Sequence, residues 1–427
     1  MLESLAARRA RVARALPLDR EVVLFAAGRP VPLPENTDQV YPFHAHTEYY
    51  YLAGLECPGA VLAYDPLEGP ERGWKSFVPE VTEDERIWEG RQPWPGAGAP
   101  LSALEPWLVL RGNRPLVMLG QPLAGLPYDV GRTAAIREAL LHARRPKDAE
   151  ETRLLRRAAA TTASGYAAIL QHIQPGATER ALEIELEAAF FRGGATATGY
   201  HTIVGTGPNS AVLHFPPSAR AARRGEFVLI DAGAQVDRYV CDVTRTYVAG
   251  EPSAFQRDLH QVVLTAEERA IARCRPGVEW RDVHRAAAVD LVSGLVAMGV
   301  MRGDPESLVA RTAHMLFFPH GLGHLVGLGV RDASGMAPGR TRSTEPALRN
   351  LRTDLPLEAG YVITVEPGLY FIPPLLCDPA RREKFRDAVN WELVDRHLET
   401  GGVRIEDNVL ITADGHEVLT AAIPKTL

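Results

Sequence analysis

Apolar residues recur along this chain at two periods, helical and alternating, and the way these are ordered divides it. Near the start, MLESLAARRARVARALPLDRE carries Leu2, Leu5, Val12 and Leu16 at helical spacing, which predicts an amphipathic surface helix with those residues facing inward. Short β-rich runs follow, VVLFAAG, AVLAYDP, WKSFVPE and PLVMLG, alternating with helical patterns as in a small α/β domain. The texture changes at RRPKDAEETRLLRR. Pro146 disfavours helix in the residue before it, and Asp148 and Glu151 stand at capping-box spacing, so a long helix is predicted from there. The chain reads as an N-terminal α/β domain over residues 1–146 and a second domain over 147–427.

The second domain echoes itself. One helical stretch ends in IQPG at Pro175 and Gly176 and another opens at Thr178, with Ala181, Ile184, Ala188 and Phe191 on one apolar face. Downstream, CRPG at Pro276 and Gly277 precedes another apolar helix in the same way. Two strand patterns also match, GEFVLIDAG from Gly225 and GYVITVEPG from Gly360: each runs from glycine through an apolar stretch to an acid, then to a closing glycine. Two structural halves are therefore expected to deliver Asp231 and Glu366 from equivalent strand ends.

Those acids carry the candidate chemistry. Asp231 and Asp242 stand eleven residues apart in VLIDAGAQVDRYVCDVTRT, and PHGLGH, TVEPGLYF and GGVRIEDNV add His324, Glu366 and Glu406. An acid followed by glycine is also a common way into a turn. Together, however, facing carboxylates repel and rarely all stay ionised unless a cation lies between them. Four carboxylates and an imidazole in apolar surroundings ask for divalent metal, and the chain reads as a hydrolase. A lone histidine is more often a satisfied core residue than a ligand, but His320 and His324 accompany the acids. Pro319, Gly321 and Gly323 argue against helix around them; in an extended segment, residues four apart still share a face, so both rings are expected at one pocket.

Bulk properties narrow the partners. A formal net charge of -6, with Arg scattered among Glu and Asp, argues against nucleic acid and anionic membrane. No apolar run is long enough to span a bilayer, and Glu3, Asp19 and Glu21 weigh against a transit peptide. Cys57, Cys241, Cys274 and Cys377 are too scattered for a disulfide framework or zinc knuckle, so a cytoplasmic setting is expected.

The order DAG, DVTRT, HGLGH, VEPG and RIEDN resembles that of the pita-bread metallopeptidases, specifically the Xaa-Pro dipeptidases (prolidases) and Xaa-Pro aminopeptidases. LRNLRTDLPLEAGYVITVEPGLYFIPPLL and NWELVDRHLETGGVRIEDNVLIT are similar to prolidase sequence almost throughout, while TEYYYLAGLECPGAVL and EDERIWEGR resemble the family's noncatalytic N-terminal domain. The resemblance implies an α+β pita-bread catalytic domain: a curved antiparallel sheet backed by helices in two pseudo-symmetric halves, following an N-terminal α/β domain. It implies hydrolysis of Xaa-Pro dipeptides. The alternatives are Xaa-Pro aminopeptidase action on longer peptides, promiscuous hydrolysis of organophosphates, esters or lactones, and a metal-free interaction module, against which the filled ligand positions argue.

Carried over position by position, the resemblance implies two divalent metals per chain, Mn by its oxygen-rich ligation, with Zn or Co as alternatives. Asp231 would bind one metal, His324 and Glu366 the other, and Asp242 and Glu406 both. A hydroxide held between the metals would attack the peptide carbonyl, with Glu366 passing its proton to the proline nitrogen. His214 and His320 would hold the substrate and the developing oxyanion; read without the resemblance, His214 is a buried ring with satisfied nitrogens. Arg404 would orient the bridging carboxylates, and Arg352 would grip the free carboxylate of a dipeptide. One position departs from the family. Arg331 in GLGVRDASG stands where a pocket histidine is usual, and as a permanent cation it either clamps an oxygen or narrows the site to acidic or otherwise unusual substrates. A homodimer is expected by analogy.

Overall fold

The computed structural model describes residues 2–35, 38–92 and 98–427, with side chains from Leu5 onward, so the inward position expected of Leu2 lies outside what is described. Two compact units divide the chain, Met1–Arg144 and Arg145–Leu427. In the first, the helix Leu2–Ala15 buries Leu5 and Val12, and Leu16 just past its end is buried too. In its five-stranded mixed sheet, Val22–Ala26 pairs antiparallel with the central strand Val61–Tyr64 and parallel with the edge strand Leu116–Gly120. Val22–Ala26 is buried at every position, which explains a continuous apolar run where a half-exposed strand would alternate.

The second unit opens at the predicted capping box. Asp148 accepts from the Glu151 backbone N–H, the Glu151 side chain accepts from that of Asp148, and the helix Ala149–Ile169 follows. It packs on Glu179–Arg192, and in the second half Ala254–Arg273 packs on Trp280–Ala297. The echo extends to backbone hydrogen bonds: the Gly176 N–H donates to the Ala222 carbonyl and the Gly277 N–H to the Leu357 carbonyl, each at 2.8 Å, five residues ahead of the strands Phe227–Asp231 and Val362–Val365.

Each half builds a small antiparallel sheet behind which its helices lie. Phe227–Asp231 is flanked by Ile203–Thr206 and Thr244–Val248, and Asp407–Ile411 by Val362–Val365 and His416–Val418. A bridge between Thr244 and Glu406 joins the halves. The core of the second half gathers Leu259, Val263, Trp280, Leu291, Phe317, Ile363 and Val365, all fully or almost fully buried; this apolar backing supplies the main stabilising force and holds the strand ends in place. Among the described residues no helix is long and apolar enough to cross a membrane.

One expected face is corrected. The helix Glu179–Arg192 buries Leu182, Leu186 and Phe190, while Ile184 and Phe191 are exposed. Glu179 sets the rotation. Its buried carboxylate accepts from the Thr206 N–H (2.8 Å), the Thr206 hydroxyl (2.9 Å), Asn209 (2.8 Å) and the Ser218 N–H (3.1 Å), which turns the residues three, seven and eleven positions later toward the core.

Candidate active site

Asp231 ends the strand Phe227–Asp231, and Asp242 stands just before its antiparallel neighbour Thr244–Val248. A small hairpin, Ala234–Val236 with Tyr239–Val240, folds the intervening chain back. Glycine is required at Gly233, because a Cβ there would run into the Cys241 carbonyl. Tyr166 braces both acids from the helix behind, its hydroxyl lying 2.7 Å from the Val243 carbonyl and 3.1 Å from that of Ile230.

His320 to His324 is extended, not helical, as Pro319 and the glycines predicted. Leu322 to Val326 runs along Val362–Val365: Thr364 N–H donates to the His324 carbonyl (2.9 Å) and Glu366 N–H to that of Leu322 (2.8 Å). A Cβ at Gly323 would strike the Thr364 carbonyl, so only glycine permits this approach. The contact sets His324 and Glu366 side by side, with Nε2 3.8 Å from Oε1. Glu406 arrives from between Gly402–Arg404 and Asp407–Ile411, its backbone N–H held by the Thr244 carbonyl at 3.1 Å. Asn408 ties the two halves together, accepting from Asp242 N–H (3.0 Å) and donating to the Asp242 carbonyl (2.6 Å).

Asp231, Asp242, His324, Glu366 and Glu406 thus all line one cavity of about 900 Å³, a volume suited to a small ligand. Ligand atoms of Asp242, His324 and Glu406 lie within 4.8 Å of one another. The His324 Nδ1 faces the Leu325 carbonyl at 3.2 Å and must donate to it, which leaves Nε2 as a lone pair. That lone pair faces Asp242 Oδ2 at 3.4 Å as well as Glu366, so acceptors confront acceptors. Burial pushes the His324 imidazole down to about 4, so protonation does not relieve the conflict at neutral pH. Burial first, and then the neighbouring carboxylates, push Asp242 and Glu406 well above the usual carboxylate range; burial raises Glu366 to about 7. Four carboxylates share one buried guanidinium, that of Arg404, an excess of three negative charges when all are ionised. Acceptor-only atoms, mostly oxygen, converging with excess negative charge fit hard divalent cations.

Arg404 does touch the cluster, but not as expected. Its Nη2 donates to Asp231 Oδ2 at 2.5 Å and its Nε to the Thr244 hydroxyl at 2.9 Å. Thr244 in turn donates to Glu406 at 2.6 Å. The carboxylate gripped directly is therefore Asp231, not one of the two expected bridging acids, of which Glu406 is reached through a hydroxyl. Pairing between Arg404 and Thr246 fixes this register by laying the arginine across the strand that adjoins Asp231.

Four groups that the sequence did not single out complete the surroundings. Tyr200 donates to Asp231 Oδ1 at 2.7 Å, Thr244 and Asn408 serve as described, and Tyr370 links Arg404 to His320. Thr244, Asn408 and Tyr370 lie inside the DVTRT, RIEDN and TVEPGLYF segments, which was their only sequence signal; Tyr200 had none. Tyr370 accepts from Arg404 at 3.0 Å and donates to His320 Nε2 at 2.8 Å, while His320 Nδ1 donates to the Gly321 carbonyl at 2.9 Å. His320 lines the cavity with both ring nitrogens engaged by protein. His214 differs: it is exposed at the cavity rather than buried, and burial, then the charge of Arg404, with Arg331 and Arg352 adding, lowers its pKa. Arg331 and Arg352 line the same cavity and are exposed.

Residues 153–413 match the family described as metallopeptidase family M24, and residues 5–100 match the aminopeptidase P N-terminal domain. The chain is 32% identical over 434 residues to a probable Xaa-Pro aminopeptidase of Fusarium vanettenii, covering 93% of this chain and 89% of that protein. It is 30% identical over 427 residues to one from Botryotinia fuckeliana, covering 95% and 90%. Aminopeptidase PepP of Pseudomonas aeruginosa superposes with a TM-score of 0.79 at 27% identity, over 99% of this chain and 96% of that one. Escherichia coli aminopeptidase P with the inhibitor Pro-Leu gives a TM-score of 0.80 at 27% identity, over 100% and 96%. With its pita-bread fold and matched sequence, the chain belongs to metallopeptidase family M24.

Proposed function

We propose that this protein is a dinuclear Xaa-Pro peptidase of aminopeptidase type, releasing the first residue of short peptides whose second residue is proline. The observation that carries the reading is the convergence of Asp231, Asp242, His324, Glu366 and Glu406 at the floor of a cavity large enough for a short peptide. These five side chains would hold the metals, with manganese favoured by the oxygen-rich set. Bound divalent metal supplies Lewis-acid polarisation of the scissile carbonyl and a nucleophile at neutral pH.

The chain's own groups do the rest. Glu366, partly open to the cavity beside His324, holds the proton removed from water and passes it to the leaving proline nitrogen. His214 offers a neutral imidazole N–H to a substrate oxygen, its cationic form being disfavoured. Arg404 and Tyr200 fix Asp231 from either oxygen. His320, engaged by Tyr370 and Gly321, positions the wall and joins the substrate only by releasing one partner. Arg331 acts as a permanent cation where the family usually places histidine.

Dipeptidase action is a second reading, favoured by Arg352, which lines the cavity with an exposed guanidinium suited to a free carboxylate. The test is hydrolysis of Xaa-Pro dipeptides against Xaa-Pro-Xaa tripeptides after chelation and restoration of manganese, zinc or cobalt. Metal-dependent tripeptide cleavage supports the aminopeptidase, cleavage confined to dipeptides replaces it with the dipeptidase, and failure to cut either overturns both. A cytoplasmic homodimer completes the proposal, checked by fractionation and by light scattering of the full chain.

A further inference from the structure

One wall of the cavity comes from the segment between Val330 and Arg352, whose charged residues fall into two sets. One set fastens the segment. Arg340 pairs with Glu279 and Asp354, each at 2.8 Å, Glu345 with Arg285 at 2.6 Å, and Asp332 with Lys147 at 2.9 Å. The other set is Arg331, Arg342, Arg349 and Arg352, all exposed, all lining the cavity, and none paired with a carboxylate among the described residues. Both acids of the segment, Asp332 and Glu345, are consumed by the fastening pairs, so the cationic set faces the cavity uncompensated.

The arrangement polarises the cavity. Its lining acids, Asp231, Asp242, Glu366 and Glu406, all belong to the metal cluster, whereas this wall is lined by guanidinium groups that stay charged at any working pH. Scattered surface arginines would be screened individually, but charges of one sign around a concave low-dielectric wall reinforce one another. A peptide that places its scissile bond at the acids extends its downstream end along the walls, where a guanidinium fork matches a carboxylate.

We propose that this wall selects substrates with an anionic downstream end: Xaa-Pro peptides continued by Asp or Glu, whose side-chain and terminal carboxylates lie against the four arginines. This rests on the Xaa-Pro peptidase reading and deepens it. It also gives Arg331 a role its family histidine does not share, because histidine is mostly neutral at pH 7.

The experiment compares kcat/KM of the metal-loaded full chain on Xaa-Pro-Glu, Xaa-Pro-Ala and Xaa-Pro-Lys tripeptides at low salt and at about 0.5 M salt. Binding of the uncleaved dipeptides Pro-Glu and Pro-Lys is measured by calorimetry alongside. Expected are a preference of about tenfold or more for the Glu over the Lys tripeptide, the same order in binding, and collapse of the ratio in high salt. The paired change Arg342→Gln with Arg349→Gln lowers that ratio severalfold; both sites are exposed, so folding is preserved. Equal rates on the three tripeptides overturn the inference and leave the peptidase reading standing. A ratio that persists in high salt, or survives the paired change, also overturns it. If none of the Xaa-Pro peptides is cut, the reading beneath it fails as well.

Discussion

Glu406 and Asp407 are adjacent and both buried, yet they serve opposite electrostatic arrangements. Successive strand residues face opposite sides. Glu406 looks into the acid cluster of the cavity, where four carboxylates share the one buried guanidinium of Arg404. Asp407 looks into the core behind it, where Arg245 lies 2.8 Å away, Lys425 2.5 Å away, and the Thr420 hydroxyl donates at 2.6 Å. Thr244 and Arg245 divide in the same way, one bonded to Glu406 and the other to Asp407. Burial pushes Asp407 up, but Arg245 and Lys425 overcome it and hold the carboxyl well below its usual range, whereas Glu406 is driven well above. Glu267 completes the rear cluster as a second acid on Lys425. Where the chain supplies its own counter-charges, buried acids are structural; where it withholds them, it has built a place for cations from outside.

The strongest way to test the front cluster is Glu366→Gln, which removes the proposed proton carrier and a proposed metal ligand together. Hydrolysis of an Xaa-Pro peptide should fall by about 10³-fold or more, and elemental analysis should show disturbed metal content; a normal rate with full metal would end its assignment. The rear cluster should respond in stability instead. Asp407→Asn leaves the buried Arg245 uncompensated and should cost about 3–5 kcal/mol by denaturant unfolding. Glu406→Gln, measured in chelator, should cost nothing and even stabilise, since it relieves repulsion. Equal losses in the two variants would erase the contrast.

A smaller effect is expected at the group joining the cavity's acids to their support. Arg404→Lys keeps the charge but loses the fork that spans Asp231, Thr244 and Tyr370, so metal affinity should drop about 10–100-fold, read by competition with a chelating dye. The least pronounced signature is pH dependence. Glu366, raised to about 7 from an ordinary 4.5, contributes stability that is full below the ordinary value and lost as pH rises through about 7. Asp407, depressed below 3.8, contributes stability present above that value and lost as pH falls below it. Metal-free protein should therefore lose melting temperature between about pH 5 and 8, and metal should abolish that loss by keeping Glu366 ionised. A flat profile in chelator would show that the front carboxylates are relieved by something other than metal.

Much of this is legible in the sequence. The capping box at Asp148 and Glu151, the turns at Gly176 and Gly277, and the non-helical passage through His320 and His324 all follow from the residue types of near neighbours in the chain. The acid and histidine positions were legible because apolar strands ending in carboxylates cannot be buried cheaply without a cation. The inward face of Glu179–Arg192 was not legible, because Glu179 sets it by binding Thr206, Asn209 and Ser218, far along the chain. Nor was the grip of Arg404 on Asp231, which depends on strand register across 173 residues.

The sequence by itself determined which side chains carry charge and where helices start, stop and turn, because propensities, caps and glycine or proline constraints act over a few residues. Only the tertiary structure decided which acid meets which cation. Glu406 and Asp407 are one residue apart and chemically alike; their separate fates follow from the two faces of a strand and from what the rest of the fold packs against each.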